Sequence, residues 1–159
     1  MIKKWGVFEL GELFHIQGGK NISEKTRIKG VIPYIGSSSK NNGITDFVSN
    51  KNNTFSCNFL SLNSNGVVGE CFYQAYPCLV SGDVKRLFLK NKIGNERIYL
   101  FLKACILQQK EKYSYGYKFN ENRIDKQKIK IPITKNNHPD YEYIESYIFR
   151  LKEKNILKI

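Results

Sequence analysis

The sequence is poor in the residues that metal sites, disulfide frameworks and histidine-based catalysis draw on. Its 159 residues include two histidines, four cysteines and a single methionine. Cys57, Cys71, Cys78 and Cys105 show no paired C-x-x-C spacing, and neither His15 nor His138 forms a spaced motif with them. Zinc ligands come in close pairs, so no metal site is expected. The start, Met1-Ile2-Lys3-Lys4-Trp5-Gly6, is basic but no apolar stretch follows, so it does not read as a secretory signal. Without an oxidising destination the four thiols are expected to be reduced and mostly buried in a cytoplasmic protein. No run approaches the ~20 apolar residues of a membrane span.

Motifs of nucleotide and nucleic-acid chemistry are missing as well. Gly18-Gly19-Lys20 is too short for a phosphate-cradling loop and has no Ser or Thr after it. Ile32-Pro33-Tyr34-Ile35 lacks the Asn or Asp with which a DNA amino-methyltransferase holds its target base. Pro139-Asp140 is followed by no Glu-x-Lys, so a metal nuclease centre is not indicated, and these residues suit the opening of a helix instead. No catalytic residue and no cofactor are assigned, and the chain reads as a binding module.

What the sequence has is positive charge. Twenty-six Lys and Arg face fourteen Asp and Glu, a net +12. Half of that excess, +6, falls between Lys103 and Lys135, whereas the residues from Pro139 onward are balanced. A Lys- and Asn-rich host proteome would raise basic residues everywhere, and a local concentration fits contact with a polyanion better.

Hydrophobic spacing predicts an α+β fold: a twisted β-rich body, a buried mid-chain helix and a C-terminal amphipathic helix. A helical turn is expected at residues 10–14 and is broken by Gly18-Gly19. Short strands follow at 31–35, 44–48, 54–60, 67–68, 71–73 and 86–89. The stretch 36–43 is a polar loop, with Asn42-Gly43 suited to positive φ. Asn95 can cap a helix to about Lys110 that buries Ile98, Phe101, Leu102, Cys105 and Ile106. Ile129, Ile131 and Ile133 alternate as a strand. After Pro139-Asp140, Tyr141, Ile144, Ile148 and Leu151 form one helical stripe. The expected division is a body over 1–138 and a helix over 139–159.

Two stretches suit a nucleic-acid surface. Gly36-Ser37-Ser38-Ser39-Lys40-Asn41-Asn42-Gly43 is dense in small hydrogen-bonding side chains with one cation, and Asn can pair bidentately with adenine. A solvated hairpin loop is the plainer alternative. Lys112-Tyr113-Ser114-Tyr115-Gly116-Tyr117-Lys118-Phe119 interleaves aromatics with cations before Asn122 and Arg123. A single-strand or RNA-binding module using tyrosines as stacking platforms is the competing reading.

Taken in order, these pieces carry a resemblance. They run Trp5, Phe8, Leu10, Leu13-Phe14 and Gly18-Gly19-Lys20, then Gly30, Ile32-Pro33-Tyr34-Ile35 and Ser39-Lys40-Asn41-Asn42-Gly43-Ile44. Asn65-Gly66-Val67-Val68-Gly69, Phe72-Tyr73, Ser81-Gly82-Asp83-Val84, Tyr115-Gly116-Tyr117-Lys118, Arg123, Ile131-Pro132-Ile133 and Pro139-Asp140-Tyr141 follow. The set resembles the target recognition domain of type I restriction–modification specificity subunits, in the variant found in type IIB and IIG systems. The resemblance implies a non-catalytic domain that grips duplex DNA and reads one half of a split recognition sequence. It also implies a partner DNA adenine methyltransferase subunit that flips the target base, with a restriction subunit as a further partner.

Such domains occur twice per chain between long helices, and here there is one, with a short final helix. A half-subunit that forms a homodimer, a single-site subunit and a part of a larger enzyme all stay open. Carried over by motif, the DNA-facing residues are Lys20, Ser37, Ser38, Ser39, Lys40, Asn41, Tyr73, Gln74, Tyr115, Lys118 and Arg123. Tyr141, Ile144, Ile148 and Leu151 are the candidate docking stripe for a second copy or the methyltransferase, with packing on their own domain as the alternative.

Overall fold

A computed structural model describes residues 2–113 and 119–156. β1 (Trp5–Glu9) passes into a single helical turn, α1 (Leu10–Leu13), and out into β2 (Phe14–Gly18). A capping box holds that turn, with the Glu12 carboxylate accepting the Glu9 N–H at 2.6 Å. Leu10 and Leu13, in the helical turn expected at 10–14, are buried. There follow β3 (Lys29–Ile35), β4 (Ile44–Val48), β5 (Phe59–Asn63), β6 (Cys71–Gln74), β7 (Leu79–Val80) and β8 (Val84–Leu89). The remaining elements are α2 (Glu96–Leu107), α3 (Glu121–Lys126), β9 (Lys128–Pro132) and α4 (Tyr141–Ile156).

The strands make three sheets. The largest is antiparallel, in the order β2-β8-β5-β6. A second, β4-β3-β7, pairs β3 with β4 antiparallel and with β7 parallel. The third is an antiparallel ribbon of β1 and β9 that joins the start of the chain to its last third. Alternation along the strands of the largest sheet gives it two unlike faces. Phe14, Leu60, Leu62, Cys71, Leu87 and Leu89 point one way and form the main core with Ile98, Leu102, Cys105 and Ile106 of α2. Phe59 and Val84 point the other way and meet Ile35 and Val80 of the second sheet. Between them on that face lie Ser61, Gln74 and Arg86, all buried.

α2 begins as its sequence predicts, because the Asn95 side-chain oxygen accepts the Ile98 N–H at 3.1 Å. The strand expected over 54–60 starts only at Phe59. Asn52 Oδ1 accepts from both the N–H and the hydroxyl of Thr54, at 2.8 and 2.6 Å, and curls that segment into a turn. Val67-Val68, also expected as a strand, is a turn held between Gly66 at φ 66° and Gly69 at φ 82°. α3 is too short to show a period in the sequence; Asn120 caps it by accepting the Arg123 N–H at 3.0 Å.

α4 corrects the expected docking stripe. Ile144 is 0 % exposed and belongs to the main core, with Tyr141 and Ile148 half-buried against the same cluster. Burial pushes the Tyr141 phenol up to about 12. These three therefore pack on their own domain, because α2 already occupies the side they face; Leu151 alone of the stripe is exposed. Asp140 starts the helix by accepting the Tyr143 N–H at 3.0 Å and is ion-paired with Lys3. No helix among the described residues is long and apolar enough to cross a membrane.

Candidate nucleic-acid interface

Four connections converge at one end of the two larger sheets: 19–28, 36–43, 64–70 and 81–83. The 36–43 loop leaves β3 and returns into β4, closed by Gly36 N–H donating to Gly43 O at 2.9 Å. Its return needs three successive left-handed residues, Asn41 (φ 52°), Asn42 (φ 55°) and Gly43 (φ 79°). Asn and Gly tolerate that backbone and β-branched residues do not. The Asn-Asn-Gly run is thus a shape requirement before it is a contact surface.

The loop is tied down by side chains. Ser37 Oγ donates to Asn65 O and accepts from Val67 N–H at 2.9 Å, joining 36–43 to 64–70. Asn63 Nδ2 donates to Ser38 O at 3.1 Å and to Val67 O at 3.0 Å. Asn65 Nδ2 donates to Asp83 Oδ1 at 2.9 Å, and Gly82 N–H donates to Asn21 Oδ1 at 2.8 Å, so the other two connections join the same assembly. From below, Gln74 Nε2 donates to Asn42 O at 2.9 Å and to Ser61 Oγ at 3.0 Å, while Asn42 Nδ2 donates back to Gln74 Oε1 at 3.3 Å. A network so cross-linked is rigid, which sequence reading requires of a loop.

The expected DNA-facing residues now separate. Ser39, Lys40 and Asn41 lie exposed at the tip of the loop. Lys20 is exposed on the neighbouring segment, which is pinned by its own N–H to Val80 O at 2.8 Å. Ser37 is half-buried and spends its hydroxyl on the loop junction. Ser38 bonds across its own turn, accepting Lys40 N–H at 3.0 Å. Gln74 is a correction: at 0 % exposure it lies inside the sheet stack and has no surface to offer a ligand. Tyr73 also points inward, its ring stacked on Tyr99 at 5.2 Å and its hydroxyl donating to Asn58 Oδ1 at 2.9 Å. Burial raises its phenol above the ordinary range. Arg123 is exposed on α3. Tyr115 and Lys118 lie outside the described residues.

The structure adds residues that the motifs did not single out. Asn65 sits exposed beside the tip on a turn that the sequence marked only as a turn. Asn63 and Asn42 act from beneath it. Asn42 precedes Gly43 and Asn63 opens the Asn-Ser-Asn-Gly run, patterns that announce a turn and hide the second role. A cleft of about 530 Å³ opens next to Asn65, between the 82–83 turn and residues 119–122. Among the described residues, no group of His, Cys, Asp and Glu could hold a metal ion. The buried thiols Cys71 and Cys78 are pushed up to about 12 by burial and stay protonated.

Comparison with known proteins places the chain by family and by fold. Residues 2–159 match the family described as type I restriction modification DNA specificity domain. The chain is 45 % identical over 150 residues to the type II restriction enzyme specificity subunit S.BcgI of Heyndrickxia coagulans, covering 94 % of this chain and 44 % of that one. The chain thus spans less than half the length of that relative. In fold it is similar to the type I restriction–modification S subunit of M. genitalium, with a TM-score of 0.68 at 20 % identity, over 94 % of this chain and 39 % of that one. The HsdS subunit of Thermoanaerobacter tengcongensis gives a TM-score of 0.66 at 13 % identity, over 94 % and 38 %.

Proposed function

Since the chain belongs to the type I restriction modification DNA specificity domain family, we propose that it is a sequence-reading domain of a restriction–modification specificity subunit. It binds duplex DNA, reads one half of a split target and holds a DNA methyltransferase subunit over the base to be modified, and a restriction subunit joins the same assembly. It contributes recognition and no bond-making step. One observation carries this reading: an exposed Ser39-Lys40-Asn41 tip held on a buried amide network. Ser and Asn offer donors and acceptors to base edges, and Lys offers charge to phosphate. With its geometry fixed beforehand, the tip loses little entropy on docking.

The single-strand reading has less to rest on. Stacking platforms need open ring faces. Tyr73 is covered by Tyr99, and Tyr113 by Phe119 at 3.8 Å.

The test is selection of binding sites from a randomised duplex library with the purified chain at near-physiological salt. The expected result is a short enriched motif, weakened in Asn41→Ala by about 1–3 kcal/mol on that motif only. A mirrored repeat at fixed spacing would add a two-fold homodimer. Binding without any motif, or preference for single strands, would overturn the reading.

A further inference from the structure

The second cluster of interest is on α3, beside the loop assembly and outside it. Its six residues divide sharply by direction. Ile124 is buried in the main core. Glu121 turns toward β8, where its carboxylate meets Lys85 Nζ at 2.6 Å, and that ammonium holds it below the usual carboxylate range. Asp125 turns toward α1: a methyl group added at Gly11 would collide with its carboxylate, which rests directly on the glycine backbone. Both acids of the helix are thereby drawn to other sides. The remaining side chains, Asn122, Arg123 and Lys126, line an open cleft of about 650 Å³ with Lys112 and Lys128, and no carboxylate is among its described lining residues. Asn120 and Asn122 border both this cleft and the one beside Asn65, so the two are neighbours.

From this segregation of charge we infer that the α3 cleft takes the sugar–phosphate backbone of the duplex, with Lys126 and Lys128 as phosphate contacts and Asn122 as a neutral donor. The inference rests on the duplex-binding reading above and assigns a separate surface to it. The loop tip carries one cation, Lys40, among small polar residues, which suits base edges. The α3 cleft gathers four cations without an acid among its described lining, which suits a polyanion and carries no sequence information. An open cleft also suits a strand running past, where a closed pocket would suit a single small anion.

The test compares the unaltered chain with Lys126→Ala/Lys128→Ala, using a labelled pool of random-sequence duplexes over a series of salt concentrations. Both lysines are exposed, and matched melting temperatures check that the fold is kept. The log–log salt slope should become shallower by about 1.8, since each phosphate left without its lysine lowers it by about 0.9. The ranking of selected sites should stay as in the unaltered chain, and Lys126→Arg/Lys128→Arg should restore the slope. An unchanged slope in the alanine variant overturns the inference while leaving the loop reading intact. A shift in site ranking with an unchanged slope overturns it too, because the cleft would then be reading bases. If the unaltered chain fails to bind duplex at all, the functional reading falls and this inference falls with it.

Discussion

On one face of the largest sheet, Leu60, Leu62 and Leu87 meet α2 as hydrocarbon; on the other, Ser61, Gln74 and Arg86 sit at similar depth and are held by hydrogen bonds. Both sides are buried from solvent. Cys71 in the first core and Cys78 in the second are both pushed up to about 12 by burial. The difference lies in what each kind of interaction can specify. Hydrocarbon burial is non-directional and worth about 1.5–3 kcal/mol per large side chain, so it anchors the helix without fixing any one atom elsewhere. A hydrogen bond weakens steeply with angle, so it places its partner.

The polar face uses that property on distant segments. Arg86 Nη2 donates to Gly18 O at 2.8 Å, and Nη1 donates to Thr54 O and Ser56 Oγ at 3.3 Å, joining two stretches of chain that the strands themselves do not pair. Gln74 does the same for the 36–43 loop. The arrangement has a cost: Arg86 Nε and Asn63 Oδ1 are buried without a hydrogen-bond partner among the described residues. A sheet that only had to be stable would carry leucine on both faces. Here one face stabilises the domain and the other positions the 36–43 loop.

Three measurements put that contrast at risk. Leu87→Ala should cost the most, about 3 kcal/mol in a denaturant titration, because transfer energy is forfeited and a cavity opens at the same time. The ranking of selected DNA sites should be unchanged by it, and a reordered ranking would show that the apolar face also shapes the loops. Gln74→Ala should cost less, about 2 kcal/mol, because the Asn42 carbonyl loses its donor and the buried Ser61 hydroxyl keeps only its bond to Phe72 O. Its larger effect should be on recognition, with the preferred site losing its advantage over random duplex. Full retention of that advantage would end the positioning role.

The third measurement concerns the thiols. At mildly alkaline pH a thiol reagent should modify exposed Cys57 and spare Cys71 and Cys78 in the folded chain. A thiol held near 12 when folded and at 9.0 when unfolded keeps its proton in the native state alone between those values. Stability should therefore be full below pH 9 and fall as pH rises toward 12. Reaction of Cys78 at the rate of Cys57 would mean that the polar side is open to water, and the two faces would differ in hydration after all.

Legibility in the sequence followed the range of the interaction involved. The Asn95 cap, the Leu10–Leu13 pair, the buried face of α2 and the 129–133 alternation are local patterns, and each appears where its spacing put it. The polar character of 36–43 and its tight return were legible from Asn42-Gly43. Gln74 was not: glutamine after two aromatics reads as an exposed strand end, and its true partners, Asn42 and Ser61, lie 32 and 13 residues away. Ile144 failed for the opposite reason. Its helical period correctly marked an apolar face, but a period cannot say whether a partner or the chain's own α2 covers that face.

Most of the element types, the position of the polar 36–43 loop and the excess of positive charge were thus written into the chain's order of residues, because propensity, turn chemistry and net charge are properties of neighbours or of sums. Tertiary packing settled which polar side chains turn inward to hold the loop, and which way each charge on α3 points. Those outcomes depend on atoms brought together from far apart in the chain, and a buried polar group is tolerated only where such a partner has been delivered to it.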